Sequence, residues 1–590
     1  MGSIPRSYIH LTSLEMLSLE SNKLTGIVKL SSFWRLKNLR LLSLSNNMLS
    51  VIDGKEESLF SSLRNIRTLS LASCNLTRLP AVLAFLDEIE TLDLSSNHID
   101  GVIPAWVWEN WKGSLVVLNL SRNMFTSLDK FPSLIPMANV LSLDLSFNRL
   151  EGNVPIPFVD LRSGDTLMSE LGIALDYSNN YFDSILSNFG EYLRKVSYLD
   201  LSKNKLNGHV QSSICSANKL IFMDLSYNNF SGSVPSCLIG SGNLNILKLR
   251  ENQFQGMMPE DIKEGCRLRT IDLNGNQIEG TIPRSLSNCQ DLELLDVGNN
   301  HIVGSFPSWL GILPKLRVLV MRSNQFNGTI WDVEGGHSNI SHFISLQILD
   351  LASNNFSGNL PDGWFSKLKA MMANVNDQGK VLGHRTNTPN GFYRDTVTVT
   401  FKGFELIFSK ILTAFSAIDF SNNSFNGHVP ESIGKLVSLH GLNMSCNNLV
   451  GQIPSQFSNL SRLESMDLSW NQLSGEIPQD LTSLTSLEWL NLSYNNLSGS
   501  IPQGNQFLTF SNSSFEGNIG LCGLPLSKQC DTPASLAPNT VSPPESNSFW
   551  EDKLGVILLF SFVGLGFGVG FALSFLLRLF CRIEGSVRKP

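Results

Sequence analysis

The sequence predicts a solenoid of stacked short repeats followed by one transmembrane helix, on three observations. An asparagine recurs every 24 residues, apolar residues alternate in a Leu-x-Leu stretch before it, and 24 uncharged residues stand near the end of the 590-residue chain. One such unit cannot bury its apolar face alone, so stacked neighbours must close a continuous core. We expect a parallel β-sheet on the concave side, with turns and short 3-10 segments on the convex side.

The asparagines form a ladder in two runs. The regular members are Asn180, Asn204, Asn228, Asn252, Asn276, Asn300 and Asn324, and then Asn423, Asn447, Asn471 and Asn495. Irregular steps add Asn22, Asn47, Cys74, Asn97, Asn123, Asn148 and Asn354, which makes eighteen positions, fourteen before a break and four after it. Each amide is expected to pair with backbone groups of adjacent turns that would otherwise be buried without a partner.

Each unit has a common sequence pattern around its asparagine. In one unit Ile271 and Leu273 alternate ahead of Asn276, and many units close on Gly-x-Ile-Pro, as at Gly475 to Pro478. The alternation places both apolar side chains on one face of a strand, and the proline marks a second turn. This 24-residue pattern resembles the plant extracellular subclass of leucine-rich repeats.

Composition excludes several classes of function. The chain has 44 basic and 51 acidic side chains and a net charge of −7, which argues against a surface for nucleic acid or anionic lipid. Histidines and acidic residues are scattered over repeat surfaces without a convergent nucleophile, base or metal set. We therefore expect neither an enzyme nor a cofactor.

Three pairs of cysteines are candidate disulfides. Two pairs lie at nearly the same phase of adjacent repeats, and the third follows the last repeat, where the open end of the solenoid must be capped. The pairs are Cys266 with Cys289, Cys215 with Cys237, and Cys522 with Cys530. Buried free thiols remain the alternative for the first two pairs.

Twelve Asn-x-Ser/Thr sequons are candidate N-glycosylation sites. They are Asn75, Asn119, Asn229, Asn327, Asn339, Asn355, Asn422, Asn443, Asn459, Asn491, Asn496 and Asn512. Together with the cysteines they favour a protein of the secretory pathway. Asn119, Asn443 and Asn491 fall on the strand face itself, where a glycan would obstruct access.

Residues 554–577 carry no charge and are long enough to cross a bilayer as a helix. The basic residues after them predict that the repeats lie outside the cell and that the tail, 578–590, lies in the cytosol. A Pro- and Ser-rich linker, 531–553, precedes the helix. The small residues Gly564, Gly566, Gly568 and Gly570 fit close association with a second helix, although glycine is also tolerated in membrane helices without that role.

The ladder has one large interruption. Asn354 and Asn423 are 69 residues apart where 24 would suffice, which leaves an island at about residues 370–413. Its Thr396–Phe401 segment alternates with period two and predicts a strand in an ordered insertion. The domain plan is therefore repeats at 1–369, the island at 370–413, four repeats at 414–505 and a cap at 506–530.

The combined pattern resembles plant leucine-rich-repeat receptor-like proteins of the Cf and Verticillium-wilt-resistance type, which lack a kinase. The signatures are Tyr393 followed by Lys402-Gly403, Ile418-Asp419-Phe420-Ser421 at the end of the island, and Phe515 to Gly523 at the cap. The resemblance implies that the island and the four repeats after it take part in ligand sensing and in docking a shorter leucine-rich-repeat co-receptor kinase. It also implies that the membrane helix binds an adaptor receptor kinase.

The function implied is a cell-surface receptor-like protein of plant innate immunity that binds an extracellular, pathogen-derived peptide or protein. A developmental peptide-hormone co-receptor is one alternative, and an inhibitor of a wall-degrading enzyme is another. The family normally begins with a signal peptide and a cysteine-paired cap, whereas this chain begins within a repeat at Met1. We therefore expect a truncated gene model or a non-functional copy, and a single-pass plasma-membrane location only if a signal peptide precedes Met1.

Three cations deviate from the Asp-x-Ser background on the strands. Lys248, Arg250 and Arg322 lie in the stretch from about Asn148 to Asn354, which we expect to be an open concave surface. They would favour an acidic or polar patch on a ligand, and the alternative is an ordinary solvated rim of charges.

Overall fold

A computed structural model describes residues 2–53, 65–129, 134–157, 172–240, 243–330, 343–373, 380–385 and 392–530. Within these residues each repeat contributes one short strand to a parallel sheet of eighteen strands, which we call the long sheet. Its strands, in order across the sheet, are Met16–Ser18, Leu41–Ser43, Thr68–Ser70, Thr91–Asp93, Val117–Asn119, Ser142–Asp144, Ile173–Asp176, Val196–Asp200, Phe222–Asp224, Ile246–Lys248, Thr270–Asp272, Leu294–Asp296, Val318–Val320, Ile348–Asp350, Ala417–Asp419, Gly441–Asn443, Ser465–Asp467 and Trp489–Asn491.

The long sheet is in register from repeat to repeat. Leu247 pairs with Ile271 and Lys248 pairs with Asp272 on the next strand. Leu247 and Leu249 are fully buried in the repeat core, so the residue between them lies on the other face of the sheet. Equivalent residues of successive repeats therefore form columns along that second face, and the predicted solenoid with its parallel sheet is confirmed.

The ladder asparagines tie each repeat to its neighbours. The Asn276 side-chain nitrogen donates to the carbonyls of Leu249 at 3.0 Å and Leu273 at 2.9 Å, and its oxygen accepts from the Phe254 amide at 3.0 Å. One side chain thus satisfies backbone groups in two consecutive turns, as predicted from the spacing. The same set of bonds recurs at Asn123 and Asn447.

A second parallel sheet, absent from the prediction, follows the ladder asparagines. The predicted turns there are strands because the apolar residue two places after the asparagine, such as Ile278, is buried between exposed neighbours, which is the period of a strand. The twelve strands of this sheet are Asn207–His209, Asn229–Gly232, Gln253–Met257, Gln277–Gly280, His301–Gly304, Gln325–Gly328, Asn355–Asn359, Ser424–His428, Asn448–Gly451, Gln472–Gly475, Asn496–Ser500 and Gly520–Cys522. Three strand pairs continue the pattern toward the amino end, namely Thr25–Lys29 with Met48–Ile52, Asp100–Ile103 with Met124–Leu128, and Glu151–Asn153 with Tyr181–Ser184. A further pair, Leu134–Ile135 with Ile156–Pro157, lies farther from the asparagines.

Short helices close the repeats on the side away from the long sheet. The 3-10 helices in the described residues are Arg6–His10, Leu30–Arg35, Ala81–Phe85, Leu193–Lys195, Ser212–Ser216, Arg284–Asn288, Ser308–Ile312, Glu431–Lys435, Ser455–Asn459, Gln479–Ser483, Asn505–Thr509 and Asn512–Ser514. The α-helices are Trp106–Glu109, Phe189–Tyr192, Ser236–Gly240, Asp362–Phe365 and Lys369–Met372. None of the helices in this part of the chain has the length and apolar character needed to cross a membrane. The predicted span 554–577, with its four glycines, lies outside the described residues.

The structure joins the candidate cysteines by three disulfides. They are Cys215–Cys237, Cys266–Cys289 and Cys522–Cys530. The first two connect the closing segments of adjacent repeats, and the third joins the end of the last strand of the second sheet to Cys530. Among the described cysteines, Cys74 is free and buried and Cys446 is free and exposed.

The island forms two antiparallel hairpins. The first pairs Gly383–Arg385 with Phe392–Arg394. The second pairs Val397–Phe401, here called the inner hairpin strand, with Phe404–Phe408, the outer hairpin strand. The repeat strands Ile348–Asp350 and Ala417–Asp419 pair directly with each other, so the insertion is looped out without disturbing the long sheet.

Candidate functional site

The inner hairpin strand lies across the second face of the long sheet. Its Val397 and Val399 are 0% and 3% exposed and belong to a hydrophobic cluster separate from the repeat core. The sheet side of that cluster is Leu294, Val318, Val320, Ile348 and Ala417. The island is therefore docked on the sheet by a core of its own.

Threonines on the opposite side of the inner strand bind the three cations singled out in the sequence. Each cation donates to one threonine hydroxyl: Lys248 to Thr396 at 3.3 Å, Arg250 to Thr398 at 2.7 Å, and Arg322 to Thr400 at 3.0 Å. All three cations are buried. The expectation of an open concave surface at these residues is wrong, because their hydrogen-bonding groups face the chain's own island.

Carboxylates of the sheet lie beside the same cations. The ion pairs are Lys248 with Asp224 at 3.7 Å, Arg250 with Asp296 at 3.5 Å, and Arg322 with Asp350 at 3.4 Å. Burial, followed by the charge of Asp419, raises the pKa of Asp350 to about 8. Burial, followed by the charge of Asp296, raises the pKa of Asp272 to about 7. The surface beneath the island therefore holds more acidic groups than cations.

The island contributes one buried acid of its own. Asp395 is fully buried and accepts a hydrogen bond from the Thr270 hydroxyl at 2.7 Å. Burial raises the pKa of Asp395 to about 6. Since Thr270 belongs to the long sheet, this bond exists only while the island is docked.

The three island motif residues hold the two ends of the inner strand. Tyr393 packs edge-on against Phe222 with ring centroids 5.1 Å apart, and the Lys248 ammonium lies 5.6 Å from the Tyr393 ring. At the other end the Lys402 amide donates to the Ser465 hydroxyl at 3.0 Å. The island thus reaches across ten strands of the long sheet, from Phe222–Asp224 to Trp489–Asn491.

The turn between the hairpin strands closes against the last repeats. The Lys402 ammonium lies 2.9 Å from Glu464 and 2.5 Å from Glu488. Gly403 has a φ of +79°, and a Cβ there would lie 3.0 Å from the Trp489 ring. The glycine is therefore required both by its backbone conformation and by its close approach to the tryptophan.

Gly441 is a site residue that the sequence reasoning missed. It takes the first strand position of its repeat, and a Cβ there would lie 3.1 Å from the Phe401 ring and 3.5 Å from Ala417. The signal that could have revealed it is a glycine where most other repeats carry a larger residue, such as Ile348 or Val318. The missing side chain makes room for the island phenylalanine.

The sequons separate into two classes by exposure. Eight have exposed asparagines, namely Asn75, Asn229, Asn327, Asn355, Asn422, Asn459, Asn496 and Asn512, whereas Asn339 lies outside the described residues. The other three are half-buried on the long sheet. The Asn443 and Asn491 side-chain nitrogens donate to Asp419 at 3.3 Å and to Asp467 at 3.4 Å, and the Asn119 oxygen accepts from the Ser121 hydroxyl at 2.7 Å. A glycan at Asn443 or Asn491 would compete with those bonds.

The long-sheet strands from Thr91–Asp93 to Val196–Asp200 carry an acidic column, interrupted at Asn119, with serines beside it. Asp144 and Asp176 each accept from the hydroxyl of the serine two residues later, at 2.6 Å and 2.7 Å. Burial, followed by the charge of Asp144, raises the pKa of Asp176 to about 7. Among the described residues no group of histidines, cysteines or carboxylates is arranged to hold a metal ion.

Comparisons with known proteins agree with the repeat architecture. A family model described as leucine rich repeat matches residues 266–326 and 437–497, and a second model of the same description matches 88–110, 219–240 and 345–367. The ectodomain of the Arabidopsis receptor kinase HAESA, solved in complex with the peptide hormone IDA and the co-receptor SERK1, is similar in structure. Its TM-score is 0.57 at 26% identity, with 89% of this chain and 77% of that chain covered.

Curated proteins of Arabidopsis thaliana are similar over most of the chain. Receptor like protein 22 is 45% identical over 90% of this chain and 64% of its own length. Receptor-like protein 54 is 39% identical over 84% of this chain and 57% of its own length. The chain therefore spans less than two thirds of each of these two relatives.

Proposed function

We propose that this chain is a plant leucine-rich-repeat receptor-like protein, a cell-surface receptor for an extracellular peptide or protein ligand, because it is similar to Arabidopsis receptor-like proteins over most of its length. The observation that carries the proposal is the island. It covers ten strands of the long sheet through an apolar core, three cation–threonine bonds and the contacts of its two ends. An ordered insertion that packs on a repeat scaffold in this way is typical of a surface that binds partners and not of a catalytic site.

The proposal includes partners that signal on behalf of the receptor. Residues 554–577 would anchor it in the plasma membrane with the repeats outside, and Gly564, Gly566, Gly568 and Gly570 would face the helix of an adaptor receptor kinase. A shorter leucine-rich-repeat kinase would act as co-receptor. Support for a co-receptor comes from HAESA, whose structure contains a peptide hormone and SERK1.

Innate immunity is the process we propose, with a pathogen-derived ligand. The similarity to HAESA, a receptor solved with a peptide hormone, favours a developmental role as the second candidate. The two differ in the source of the ligand, which the repeat fold does not determine. The eight exposed sequons are the positions at which we propose N-glycosylation.

The test is a signalling assay in leaf cells. The full chain would be expressed behind a secretion signal and exposed to crude microbial extract, with kinase-dependent defence output as the measurement. We expect output from the wild-type chain and none after charge reversal of Arg250, because reversal would expel the island from the sheet. Absence of output with microbial extract, together with a growth phenotype on loss of the gene, would replace the immune role with the developmental one.

A further inference from the structure

The outer hairpin strand is apolar and exposed. Phe404 is 70% exposed, Ile407 is 66% exposed and Leu406 is 39% exposed, whereas the inner strand beside them is buried at every second residue. Large apolar side chains on a solvent-facing strand are uncommon, because such a strand readily pairs with another chain. The strand is therefore a candidate interaction surface.

The backbone of this strand is open along one edge. The two-residue turn at Lys402-Gly403 makes Phe401 and Phe404 a hydrogen-bonded pair, and the pairs then alternate along the hairpin. Glu405 and Ile407 are consequently at the positions whose N–H and C=O groups point away from the inner strand. No other strand among the described residues pairs with Phe404–Phe408.

The second hairpin contacts the long sheet through its inner strand. The valines on one side of that strand pack on the apolar cluster of the long sheet, and the threonines on the other side bind the cations. Both faces of the inner strand are thus occupied by the sheet, while the outer strand is held above it. The free edge of the outer strand is rigidly presented, which lowers the entropic cost of adding a strand there.

We propose that the outer hairpin strand takes up an extended segment of the polypeptide ligand as a third strand, a role that rests on the receptor function proposed above. Hydrogen bonds of Glu405 and Ile407 would supply affinity, and alternating side chains would supply specificity. The segment needs apolar residues on the side of Phe404 and Leu406.

Charge selects the intervening residues of the segment. The Glu405 side chain is 65% exposed although it also binds Arg322 at 2.8 Å. Near the turn, Glu464 and Glu488 share the single ammonium of Lys402. Opposite charges across a strand pair are favourable, so the segment carries lysine or arginine between its apolar residues.

The test uses a synthetic peptide of alternating valine and lysine, and the full-length chain in detergent. Ile407→Pro removes an outward N–H that the hairpin itself does not use, and Ile407→Val is the matched control. We expect the peptide to bind the wild-type chain and the valine variant alike, and to bind Ile407→Pro about tenfold more weakly or not at all. The same peptide, N-methylated at the amides that would face the strand, should not bind.

A second arm tests the charge. Glu405→Lys should reverse the preference, so that a valine–glutamate peptide binds better than the valine–lysine peptide. Hydrogen exchange at the inner hairpin strand and at the ladder repeats must be unchanged in every variant, which separates loss of binding from loss of island docking or of folding.

Three results would overturn the proposal. They are no binding of either peptide to the wild-type chain, equal binding to Ile407→Pro, and self-association of the wild-type chain that Ile407→Pro abolishes, which would assign the edge to a second copy. The receptor function fails separately, if output in leaf cells is absent and loss of the gene has no growth phenotype. If the Ile407→Pro variant signals as strongly as the wild-type chain, the proposal of an added strand is excluded and the receptor function is retained.

Discussion

The strands before Phe222 and those from Phe222 onward share the same stacked repeats with their ladder asparagines, which we call the repeat frame, but their side chains form different surfaces. Among the described residues, the island does not cover the strands Ser142–Asp144 and Ile173–Asp176, which keep the acidic column with its serine partners. The covered strands replace parts of that background with cations, valines and a glycine, and each replacement contacts the island. The repeats thus supply a fixed spacing, whereas the columns of side chains on the second face determine what the sheet binds.

The largest effect is expected from a charge in the island's own core. Val399→Asp would place an unpaired carboxylate among Val318, Val320 and Ile348, which should weaken docking by about 3 to 5 kcal/mol. Hydrogen exchange at residues 393–408 should become fast while exchange in the repeats is unchanged. Ile407→Asp, on the exposed strand, is the control and should leave docking intact. Fast exchange in the repeats as well would mean that the island is part of the frame.

Ladder substitutions should show that the frame is common to both regions. Asn123→Ala, in a repeat before Phe222, and Asn276→Ala, beneath the island, each remove four bonds to backbone groups. Each should lower the free energy of unfolding by about 1 to 3 kcal/mol. The measurement is denaturant unfolding of the repeats. A much larger loss at Asn276 would show that the island stabilises the repeats under it.

Island docking should weaken as the pH rises. Asp395 is neutral in the docked island up to a pKa of about 6, whereas a solvated aspartate ionises near pH 4. A raised pKa gives stability that is complete below the ordinary value and is lost as the pH rises through the raised one. Docking measured by hydrogen exchange should thus decline between about pH 4 and 6, by about 1 to 3 kcal/mol. Asp395→Asn should reduce that decline, since Asp272 and Asp350 also have raised pKa values, and the exposed-surface variant Asp480→Asn should leave it unchanged.

The smallest of these effects is expected at the turn. Gly403→Ala adds backbone strain at φ +79° and a contact at 3.0 Å with Trp489, for about 1 to 2 kcal/mol of docking. Gly208→Ala is the matched control, because Gly208 has a φ of +83° with open space around it. The difference between the two variants, measured by thermal unfolding and by exchange in the island, isolates the contact with the tryptophan. Equal effects would mean that the glycine serves the turn alone.

The repeat frame could be predicted from the sequence because its contacts recur at one spacing. The second sheet was missed since the segment after each asparagine is short and rich in glycine, so its single buried apolar residue, such as Phe254, resembles a turn residue. Alternation around that residue identifies the strand only when the repeats are aligned.

The site was predictable only in part. Lys248, Arg250 and Arg322 stood out as deviations from the background, yet their partners are 78 to 148 residues away in the island. Contacts at such separations leave no periodic trace. The deviation was a correct signal of binding, and the occupant is the chain's own threonines rather than a foreign ligand.

The direct pairing of Ile348–Asp350 with Ala417–Asp419 has an evolutionary consequence. A solenoid that closes its register beneath an insertion tolerates any insert length, so the island can be gained, exchanged or shortened as a cassette. The residues on which the island docks are not transferred with it, since Lys248, Arg250 and Gly441 belong to repeats on both sides of the insertion. A transplanted island would need these distant positions to be inherited with it.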